Sequence, residues 1–355
     1  MSELRVLVAI NCRWWNASAA LAVGQAAALR VAGADVLLQA ASGSPAASRA
    51  GEAGVRVVEL PLGERGLPPL RGLLSFRRLV RGFRPHVLCA HRGPGHLASA
   101  LAGAGVPIVR VRSDIRKPGR GLASRSLDRR TDLVVLPCRF MAEERKGYVD
   151  PGGPPFAIIP PAVDTCAFLP MPGGPPGGRT LLALGRLSPM KGHGTLLRAA
   201  ALLGDDVRIV IAGEDAQYGS AELLHLAGEL GLAGRIELPG RVEDVRPLLA
   251  SATLGVVASL GSEVYSRACL EMMASGLPVL AAATNGLIEL VRDGVTGLLH
   301  PPGDFQTLAR QSDWLLARPE LRVLMGNSGR EVCEASHSLE AVGREWMRVL
   351  RELAG

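Results

Sequence analysis

The chain has 355 residues, of which 48% are apolar and 21% charged, and its formal net charge is +7. This length and composition predict two domains with well-filled cores. The six cysteines form no CxxC pair, which argues against a zinc knuckle or a disulfide scaffold and favours a reduced cytoplasmic setting. No run of about 18 apolar residues occurs and the N-terminus lacks a signal-peptide pattern, so neither a transmembrane helix nor export is expected.

Positive charge is concentrated in the first half of the chain. Residues 1–160 contain 23 Lys and Arg against 11 Asp and Glu, whereas the remainder is mildly acidic. A basic half favours contact with phosphate, anionic lipid or nucleic acid, and a solvated arginine-rich surface is the alternative. Because aromatic residues make up only 4% of the chain, a base-stacking platform is not expected, and we expect no nucleic-acid partner.

Short apolar runs predict buried strands along most of the chain. Helix-like stretches lie between several of them, at 16–32, 70–83 and 95–104. Alternation of helices with continuously apolar strands indicates parallel sheets covered on both faces. In chain order, the predicted strands are 4–10, 34–40, 55–60, 86–91, 108–113 and 133–137, followed by 180–186, 207–213, 235–240, 254–259 and 278–283.

The proline- and glycine-rich stretch 160–178 separates the two series of strands and marks a linker. The sequence therefore predicts an α/β protein with two Rossmann-like, doubly wound domains facing across a cleft, and with ligands beyond the carboxyl ends of the strands. The expected boundaries are 1–163 for the first domain, 164–179 for the linker and 180–337 for the second domain. The amphipathic segment 338–355 is expected to form a helix that packs back toward the first domain.

Two carboxylates, Glu263 and Glu271, stand eight residues apart in the stretch SEVYSRACLEMMASGLPVLA. On a helix they would lie roughly 12 Å apart and about 80° out of register, a reach that suits a ligand with two diol groups. Carboxylates accept strong hydrogen bonds from hydroxyls, and a helix N-terminus beside them attracts phosphate. A nucleotide sugar, with its hexose, diphosphate and ribose, fits this pattern. The alternative is structural: Glu263 caps the helix and Glu271 pairs with Arg267.

Two cations stand in the segment GRLSPMKG. Arg186 ends a predicted strand, and Lys191 follows five residues later across a turn. Cations at the carboxyl edge of a sheet can neutralise a diphosphate and stabilise a leaving nucleotide. No Asp-x-Asp motif accompanies them, so we expect neither a metal ion nor another cofactor. The alternative is a pair of surface cations in a loop.

Three stretches of the sequence resemble glycosyltransferase family 4, whose members are retaining enzymes of the GT-B fold that use nucleotide sugars. They are 158–170, 184–200 and 262–304. The resemblance implies that the second domain binds the nucleotide-sugar donor and that the first domain binds the acceptor. It also implies that the sugar is transferred with retention of its anomeric configuration.

The resemblance assigns roles to the residues of the second domain. It implies that Glu263 holds hydroxyls of the donor sugar and that Glu271 holds the ribose. It further implies that Arg186 and Lys191, next to Gly185, stabilise the donor phosphates. Catalysis would then require orientation and charge stabilisation without a protein nucleophile.

One donor-binding loop departs from the family pattern. Val264, Tyr265 and Ser266 stand where the family has Gly-Phe-Gly, and loss of both glycines narrows the room for a donor to approach the backbone. These three residues are still expected beside the donor. Arg241 and Val242 stand where the family holds the nucleobase through backbone groups.

The first domain offers candidates at the ends of its strands. His91 ends a predicted strand, where it is expected to contact the donor sugar or the acceptor; a structural role is the alternative. Ser113 stands where many members of the family have a histidine near the anomeric carbon. Basic residues around it suggest an anionic acceptor instead: Arg110, Arg112, Arg116 and Lys117.

The loop after the first strand lacks the glycines that the family usually has there. Trp14 and Trp15 are candidates for stacking on a sugar ring or an acceptor lipid, and internal packing is the alternative for either. Asn16 is predicted to cap the helix that follows.

Together these features predict a retaining glycosyltransferase that moves a sugar to a hydroxyl of a cell-envelope glycan or a lipid-linked acceptor, as in lipopolysaccharide or exopolysaccharide synthesis. The expected partners are the donor, an acceptor that carries negative charge, and an anionic membrane surface facing the cytoplasm. One alternative is a nucleotide-sugar epimerase, although no second pair of acid and base carboxylates is evident. Another is a binding protein that kept the donor site without the chemistry, which Ser113 and the altered Gly-Phe-Gly favour.

Overall fold

The computed structural model describes residues 3–64, 66–103, 105–114, 121–146, 153–171, 178–261 and 263–355. The chain folds as two compact units. Unit 1 contains Met1–Ala162 together with Ser336–Gly355, and unit 2 contains Val163–Ala335. Each unit has one parallel sheet with helices around it, so the prediction of two Rossmann-like domains is confirmed.

Unit 1 is built on a seven-stranded parallel sheet. Its strands are β1 (Arg5–Ile10), β2 (Asp35–Ala40), β3 (Arg56–Glu59), β4 (Val87–Ala90), β5 (Ile108–Val111), β6 (Leu133–Leu136) and β7 (Phe156–Ile158). Their order in the sheet is β3-β2-β1-β4-β5-β6-β7. The chain therefore winds outward from β1 in one direction and then from β4 in the other, as in doubly wound folds.

The helices of unit 1 follow its strands. They are α1 (Ala17–Val31), α2 (Pro45–Glu52), α3 (Leu70–Phe83), α4 (Gly93–Ala102), α5 (Leu122–Asp128) and α6 (Arg139–Lys146). As predicted, Asn16 caps α1, because its Oδ1 accepts a hydrogen bond of 3.1 Å from the Ala19 amide.

The last helix of the chain, α14 (Leu339–Ala354), packs against α1 within unit 1. The two helices approach closely at Gly343, where a Cβ atom would lie 2.2 Å from the carbonyl oxygen of Ala28. The apolar face of α14 includes Trp346 and Leu350, both buried. Burying side chains of this size stabilises a fold by about 1.5–3 kcal/mol each.

Unit 2 is built on a six-stranded parallel sheet. Its strands are β8 (Thr180–Leu184), β9 (Arg208–Ala212), β10 (Ile236–Gly240), β11 (Leu254–Val257), β12 (Val279–Ala282) and β13 (Gly297–His300). Their order is β10-β9-β8-β11-β12-β13. The chain runs outward from β8 to β10 and then crosses to the other side of β8, so the direction of winding reverses between β8 and β11.

The helices of unit 2 cover both faces of this sheet. They are α7 (His193–Ala200), α8 (Ser220–Glu229), α9 (Arg246–Ser251), α10 (Arg267–Ala274), α11 (Leu287–Leu290), α12 (Phe305–Leu316) and α13 (Pro319–Val332). One buried cluster, which includes Leu196 and Ile211, packs α7 and α12 on one face. A second, which includes Met272 and Val279, packs α10 on the other.

The segment predicted to be a linker is partly integrated into unit 2. Val163 is buried, and Phe168 packs against the same cluster as α10. Arg330 fixes the segment by donating hydrogen bonds to the carbonyl oxygens of Thr165, at 2.8 Å, and Phe168. The remainder of the predicted linker, 172–177, lies outside the described residues.

No helix in the described ranges combines the length and the apolarity that crossing a membrane requires.

Candidate active site

The loops that follow β8 and β9 touch at the carboxyl edge of the unit 2 sheet. Gly185 follows β8 with φ of 148°, and Gly213 follows β9. A Cβ atom on Gly213 would lie 1.9 Å from the carbonyl oxygen of Gly185, which no side chain could accommodate. Glycine at position 213 therefore permits the two loops to pass each other at this edge.

The β8 loop is also fixed to the end of β11. It forms one turn of 3-10 helix (Pro189–Lys191), which ends at Gly192 with φ of 70°. A Cβ atom on Gly192 would lie 1.8 Å from the carbonyl oxygen of Ala258. The Leu260 amide donates a hydrogen bond of 2.9 Å to the Met190 carbonyl. Loops from both sides of the winding reversal thus meet, at the position where open α/β sheets bind ligands.

Lys191 and Glu263 form an ion pair at this meeting point. The Lys191 ammonium donates to Glu263 Oε1, which also accepts a hydrogen bond of 2.9 Å from the Ser259 hydroxyl. The carboxylate is 8% exposed and the lysine side chain 31%. The pair therefore combines a buried acceptor for hydroxyls with a cation that solvent and ligands can reach.

Arg186 lies in the same loop, with an exposed side chain. Its carbonyl oxygen lies 3.2 Å from Nε2 of His193, the first residue of α7. Burial, which the bond to Arg186 partly opposes and the nearby Lys191 charge reinforces, lowers the pKa of His193 to about 4. At neutral pH the ring is uncharged, and its Nε2–H donates to Arg186 and orients the loop.

The loop between Glu263 and α10 rests on the loop that follows β12. The Gly286 amide donates a hydrogen bond of 2.9 Å to the Glu263 carbonyl, and a Cβ atom on Gly286 would lie 1.9 Å from the Val264 carbonyl oxygen. Val264, Tyr265 and Ser266 all have buried side chains. Burial raises the pKa of the Tyr265 hydroxyl, which stays neutral. We therefore expect these three residues to contact a ligand through their backbone groups.

Glu271 lies in α10 and pairs with Arg267 one turn earlier, at 3.2 Å between Oε1 and Nε. This ion pair is one half of the structural alternative predicted from the sequence, in which Glu271 pairs with Arg267 and Glu263 caps the helix. The other half of that alternative is wrong, because Ser266 rather than Glu263 caps α10 by accepting from the Cys269 amide at 3.3 Å. Glu263 is therefore not the cap of α10, and each of the two glutamates has a cation beside it, Lys191 for Glu263 and Arg267 for Glu271.

Arg241 and Val242 follow β10 directly, after Gly240 with φ of 70°. Nη1 of Arg241 lies 3.8 Å from Oε2 of Glu214, which follows β9. Both side chains are well exposed, so the pair contributes little stability and leaves Arg241 accessible. Sequence candidates of unit 2 thus follow three strands, β10, β8 and β11, and Glu214 follows β9, which lies between β10 and β8 in the sheet.

His91 belongs to unit 1, where it follows β4. Its ring is 2% exposed, and its Nε2 lies 2.6 Å from Oε1 of Gln25. Burial, reinforced by the charge of Arg110, lowers the pKa of His91 to about 3, so the ring is neutral. A contact between His91 and a substrate stays a prediction.

The other unit 1 candidates occupy different environments. The Ser113 hydroxyl lies 2.5 Å from that of Ser18 in α1. Trp14 is 73% exposed, whereas the ring of Trp15 stacks under Arg49 with 4.3 Å between the guanidinium carbon and the ring centroid. Arg116 and Lys117, which were predicted to contact an anionic acceptor, lie outside the described residues.

Sequence reasoning missed Ser259 and His193. Ser259 ends the apolar run LGVVAS, four residues before Glu263, and that spacing was the available signal. His193 begins a helix directly after the lysine segment, where a histidine gives no pattern of its own. Among the described residues no group of three or more His, Cys, Asp or Glu side chains is placed to hold a metal ion.

Two family models match the chain, one in each unit. Residues 18–160 match the glycosyl transferase 4-like domain. Residues 172–332 match the glycosyl transferases group 1 domain. Together the matches span most of the chain, and each lies within one unit of the structure.

Several relatives are D-inositol 3-phosphate glycosyltransferases. The protein from Mycolicibacterium gilvum is 33% identical over 231 residues, which cover 60% of this chain and 51% of the relative. The protein from Mycobacterium tuberculosis H37Ra is 33% identical over 213 residues, which cover 55% and 44%. The chain thus spans about half the length of the relatives that it matches.

Solved structures of glycosyltransferases superpose on nearly the whole chain. Anabaena HepE, in complex with UDP and glucose, has a TM-score of 0.82 at 18% identity and covers 99% of this chain and 100% of its own. A glycosyltransferase from Rickettsia africae has a TM-score of 0.84 at 16% identity, with 99% of each chain covered. The chain therefore has the GT-B fold, and each of its two units matches a glycosyltransferase domain model.

Proposed function

We propose that this protein is a retaining, metal-independent glycosyltransferase of family 4. It moves a hexose from a nucleotide diphosphate sugar to a hydroxyl of a cell-envelope glycan or a lipid-linked acceptor. The observation that carries the proposal is the pair of Lys191 and Glu263 at the winding reversal of unit 2. It puts a cation for phosphate and a carboxylate for sugar hydroxyls within hydrogen-bond reach of each other.

Each donor moiety has a proposed partner in unit 2. The diphosphate takes the ammonium of Lys191 and the exposed guanidinium of Arg186, and Glu263 accepts hydrogen bonds from sugar hydroxyls. Glu271 binds the ribose, and the backbone beside Arg241 faces the base. Lys191 must then share its charge between Glu263 and a phosphate oxygen, so donor binding reorganises the ion pair.

The proposed chemistry needs no protein nucleophile. The bond between the anomeric carbon and the leaving phosphate oxygen breaks, and the acceptor oxygen bonds to the same face of that carbon. The acceptor proton goes to an oxygen of the departing diphosphate. Lys191 and Arg186 stabilise the negative charge that develops on that diphosphate, which is where fixed cations lower a barrier most.

The comparisons favour particular substrates for a first test. Anabaena HepE was solved with UDP-glucose, which makes UDP-sugars the first donors to examine. The relatives named D-inositol 3-phosphate glycosyltransferases act on a phosphorylated acceptor. The lipopolysaccharide galactosyltransferase WaaB, with a TM-score of 0.69 at 12% identity, supports envelope glycans as the wider acceptor class.

A melting-shift screen of UDP-, GDP-, ADP- and CMP-sugars tests donor binding. We expect one nucleotide to raise the melting temperature of the wild type, and the rise to shrink in Lys191→Gln. Arg208→Gln is the matched control, because Arg208 is an exposed cation at the opposite, amino-terminal end of β9. Absence of any shift with all four classes would refute the proposal. Transfer assays with the selected donor, with and without EDTA, then test metal independence and anomeric retention.

We also propose that unit 1 associates with an anionic membrane from the cytoplasmic side, through α3. Leu70 and Leu74 are 71% and 47% exposed, and Arg77, Arg78 and Arg81 follow on the same outer face. These arginines form no ion pair within the described residues. A helix with exposed leucines beside unpaired cations suits the interface of an anionic bilayer.

The second candidate function is donor binding without transfer. It is favoured by Ser113, which stands in place of the family's histidine and lies 2.5 Å from Ser18. A donor-dependent melting shift without transfer to any acceptor, and without slow hydrolysis of the donor, would support this function over catalysis.

A further inference from the structure

Ser259 lies in the candidate active site, and the proposed function gives it no role. It follows β11 by two residues, and its side chain is buried. Its hydroxyl donates a hydrogen bond of 2.9 Å to Oε1 of Glu263, which is its one side-chain contact within the described residues. A buried hydroxyl costs free energy unless it is hydrogen-bonded, and an alanine would extend the apolar run 254–258 without that cost. The hydroxyl therefore serves the carboxylate rather than the core.

The backbone on both sides of Ser259 is fixed to the turn of 3-10 helix that follows β8. On one side, the carbonyl oxygen of Ala258 lies against Gly192, where even a Cβ atom would clash with it. On the other side, the Leu260 amide donates its hydrogen bond to the Met190 carbonyl. The Ser259 hydroxyl is therefore held in a fixed place relative to the lysine that ends this turn. A donor held in this way can fix the position of the carboxylate that it binds.

The two oxygens of the Glu263 carboxylate have different surroundings. Oε1 accepts hydrogen bonds from both the Lys191 ammonium and the Ser259 hydroxyl. Among the described residues no side chain or amide donates to Oε2. The backbone of Glu263 is fixed as well, because its carbonyl oxygen accepts a hydrogen bond of 2.9 Å from the Gly286 amide. The carboxylate is therefore held through Oε1, and Oε2 is the oxygen that a ligand would meet first.

The two members of the ion pair differ in how far they can respond to a ligand. The Lys191 side chain is partly exposed on a long flexible stem, whereas the Glu263 carboxylate is nearly buried. A phosphate beside the pair can therefore draw the cation toward itself while the carboxylate stays in place. A nearly buried carboxylate that loses its cation is costly unless other hydrogen-bond donors reach it. Sugar hydroxyls are such donors, so binding of phosphate at Lys191 favours binding of the sugar at Glu263.

We infer that Ser259 is a positioning residue for Glu263, and that the donor diphosphate makes Glu263 available to the sugar by drawing Lys191 away. This inference rests on the proposed function, because it places the phosphate at Lys191 and the sugar at Glu263. Without a nucleotide, the ion pair satisfies the carboxylate and the protein binds hexose weakly. With a diphosphate in place, Ser259 keeps the carboxylate oriented toward the sugar. The phosphate bonded to the sugar is the β-phosphate, so a nucleoside monophosphate leaves the ion pair intact.

Titration calorimetry on the full chain tests the positioning role. The probes are UDP and UDP-glucose, or the matching pair for whichever nucleotide sugar the melting-shift screen selects. Ser259→Ala should weaken UDP-glucose binding roughly tenfold and change UDP binding less than about twofold, because Lys191 is still present. Ser312→Ala is the matched control, since Ser312 is buried in α12 and its hydroxyl donates a hydrogen bond of 2.7 Å to the Leu308 carbonyl. Both variants lose a buried hydrogen bond, and only Ser259→Ala should change the ratio of the two affinities.

Binding of free glucose tests the effect of the diphosphate on the sugar site. Saturation-transfer NMR titrations measure the glucose affinity of the free protein and of the protein saturated with UDP or with UMP. We expect UDP to strengthen glucose binding at least about fivefold and UMP to have little effect. In Lys191→Gln no cation is paired with Glu263, so glucose should bind equally well with and without UDP.

The outcomes separate this inference from the proposed function. The same ratio of UDP to UDP-glucose affinity in Ser259→Ala and in the wild type would overturn the positioning role. A glucose affinity of the wild type that does not rise with UDP, or that rises equally in Lys191→Gln, would overturn the effect of the diphosphate. Either result is compatible with a wild type that binds nucleotide sugar and transfers it. The proposed function fails instead when no nucleotide sugar binds at all.

Discussion

Lys191 and Glu263 neutralise each other although 72 residues separate them in the chain. The lysine follows β8 and the glutamate follows β11, so the two meet only because these strands are neighbours in the sheet. The stem of Lys191 also runs past Gly185, where an added Cβ would be in ordinary van der Waals contact with it. The ion pair between Lys191 and Glu263 therefore depends on the fold of the sheet. A ligand that binds Lys191 must compete with Glu263 for its ammonium group.

Replacing Glu263 with glutamine should separate nucleotide binding from sugar transfer. The amide loses the charge-assisted bonds to sugar hydroxyls, so we expect transfer to fall by about a hundredfold. Lys191 loses its carboxylate partner, and we expect the nucleoside diphosphate to bind as tightly as before or more tightly. Titration calorimetry with the nucleotide and steady-state kinetics measure the two effects. Tenfold weaker binding of the nucleotide would contradict this role for Glu263.

Gly192→Ala should unfold unit 2 at a lower urea concentration. The new Cβ would meet the Ala258 carbonyl at 1.8 Å, and φ of 70° is strained for alanine. The clash and the strain together should cost about 2–4 kcal/mol in the free energy of unfolding. The control is Gly194→Ala, two residues later in α7, where the added Cβ finds only ordinary contacts and a helix favours alanine. Equal stability of the two variants would be evidence against the close approach.

Unit 1 should lose stability on mild acidification. Burial lowers the folded-state pKa of His91 and His96 from 6.5 to about 3, so protons bind preferentially to the unfolded chain. The free energy of unfolding is therefore unaffected by protonation of these two histidines above pH 6.5. As the pH falls from there toward 3, it decreases by about 1.4 kcal/mol per pH unit for each histidine. Urea unfolding at several pH values measures the slope.

Substitution at His96 isolates one part of that slope. His96→Gln should reduce the dependence of the unfolding free energy on pH below 6.5, whatever it does to stability at pH 7. His225→Gln is the control, because His225 is exposed on α8. An unchanged slope in His96→Gln would show that another group titrates.

Charge reversal on α3 should weaken membrane binding. Arg77→Glu combined with Arg78→Glu removes two unpaired cations from the outer face, and we expect at least tenfold less co-sedimentation with vesicles containing phosphatidylglycerol. Arg198→Glu combined with Arg310→Glu makes the same charge change on exposed helices of unit 2. Equal loss in both double variants would point to net charge alone, and no loss in either would exclude α3 as the anchor.

The sequence predicted eleven of the thirteen strands in the described residues, including the edge strands β3 and β10, and missed β7 and β13. The apolar runs at 4–10 and 207–213 predict β1 and β9, because a short continuous apolar run is typical of a strand that is buried on both faces of a parallel sheet. β7 and β13 each lie at one edge of their sheet, and segments of three or four residues such as FAI or GLLH give no detectable period. Their pairing depends on neighbours that only the fold supplies.

The sequence identified residues of the candidate site but did not predict the contacts between them. Residue type and family resemblance identified Lys191 and Glu263, but neither contains the information that they contact each other across two strands. The caps of α1 and α10 show the contrast. Asn16 was identifiable from local pattern, whereas Ser266 displaced Glu263 as the cap because the intervening loop folds back on Gly286. A cap that depends on neighbouring residues can be predicted from the sequence. A contact between residues that follow different strands cannot, because it depends on which strands are neighbours in the sheet.

The contact of α14 with α1 bears on how the protein emerges from the ribosome. Every residue of unit 2 is translated before Ser336–Gly355, which unit 1 needs to cover α1. Unit 2 is one continuous segment and can fold before α14 is synthesised, whereas the surface of α1 around Ala28 is covered only after α14 is synthesised. The unit whose synthesis starts first is therefore the last to be completed, and a chain that ends before α14 would leave the surface of α1 that α14 covers exposed to solvent.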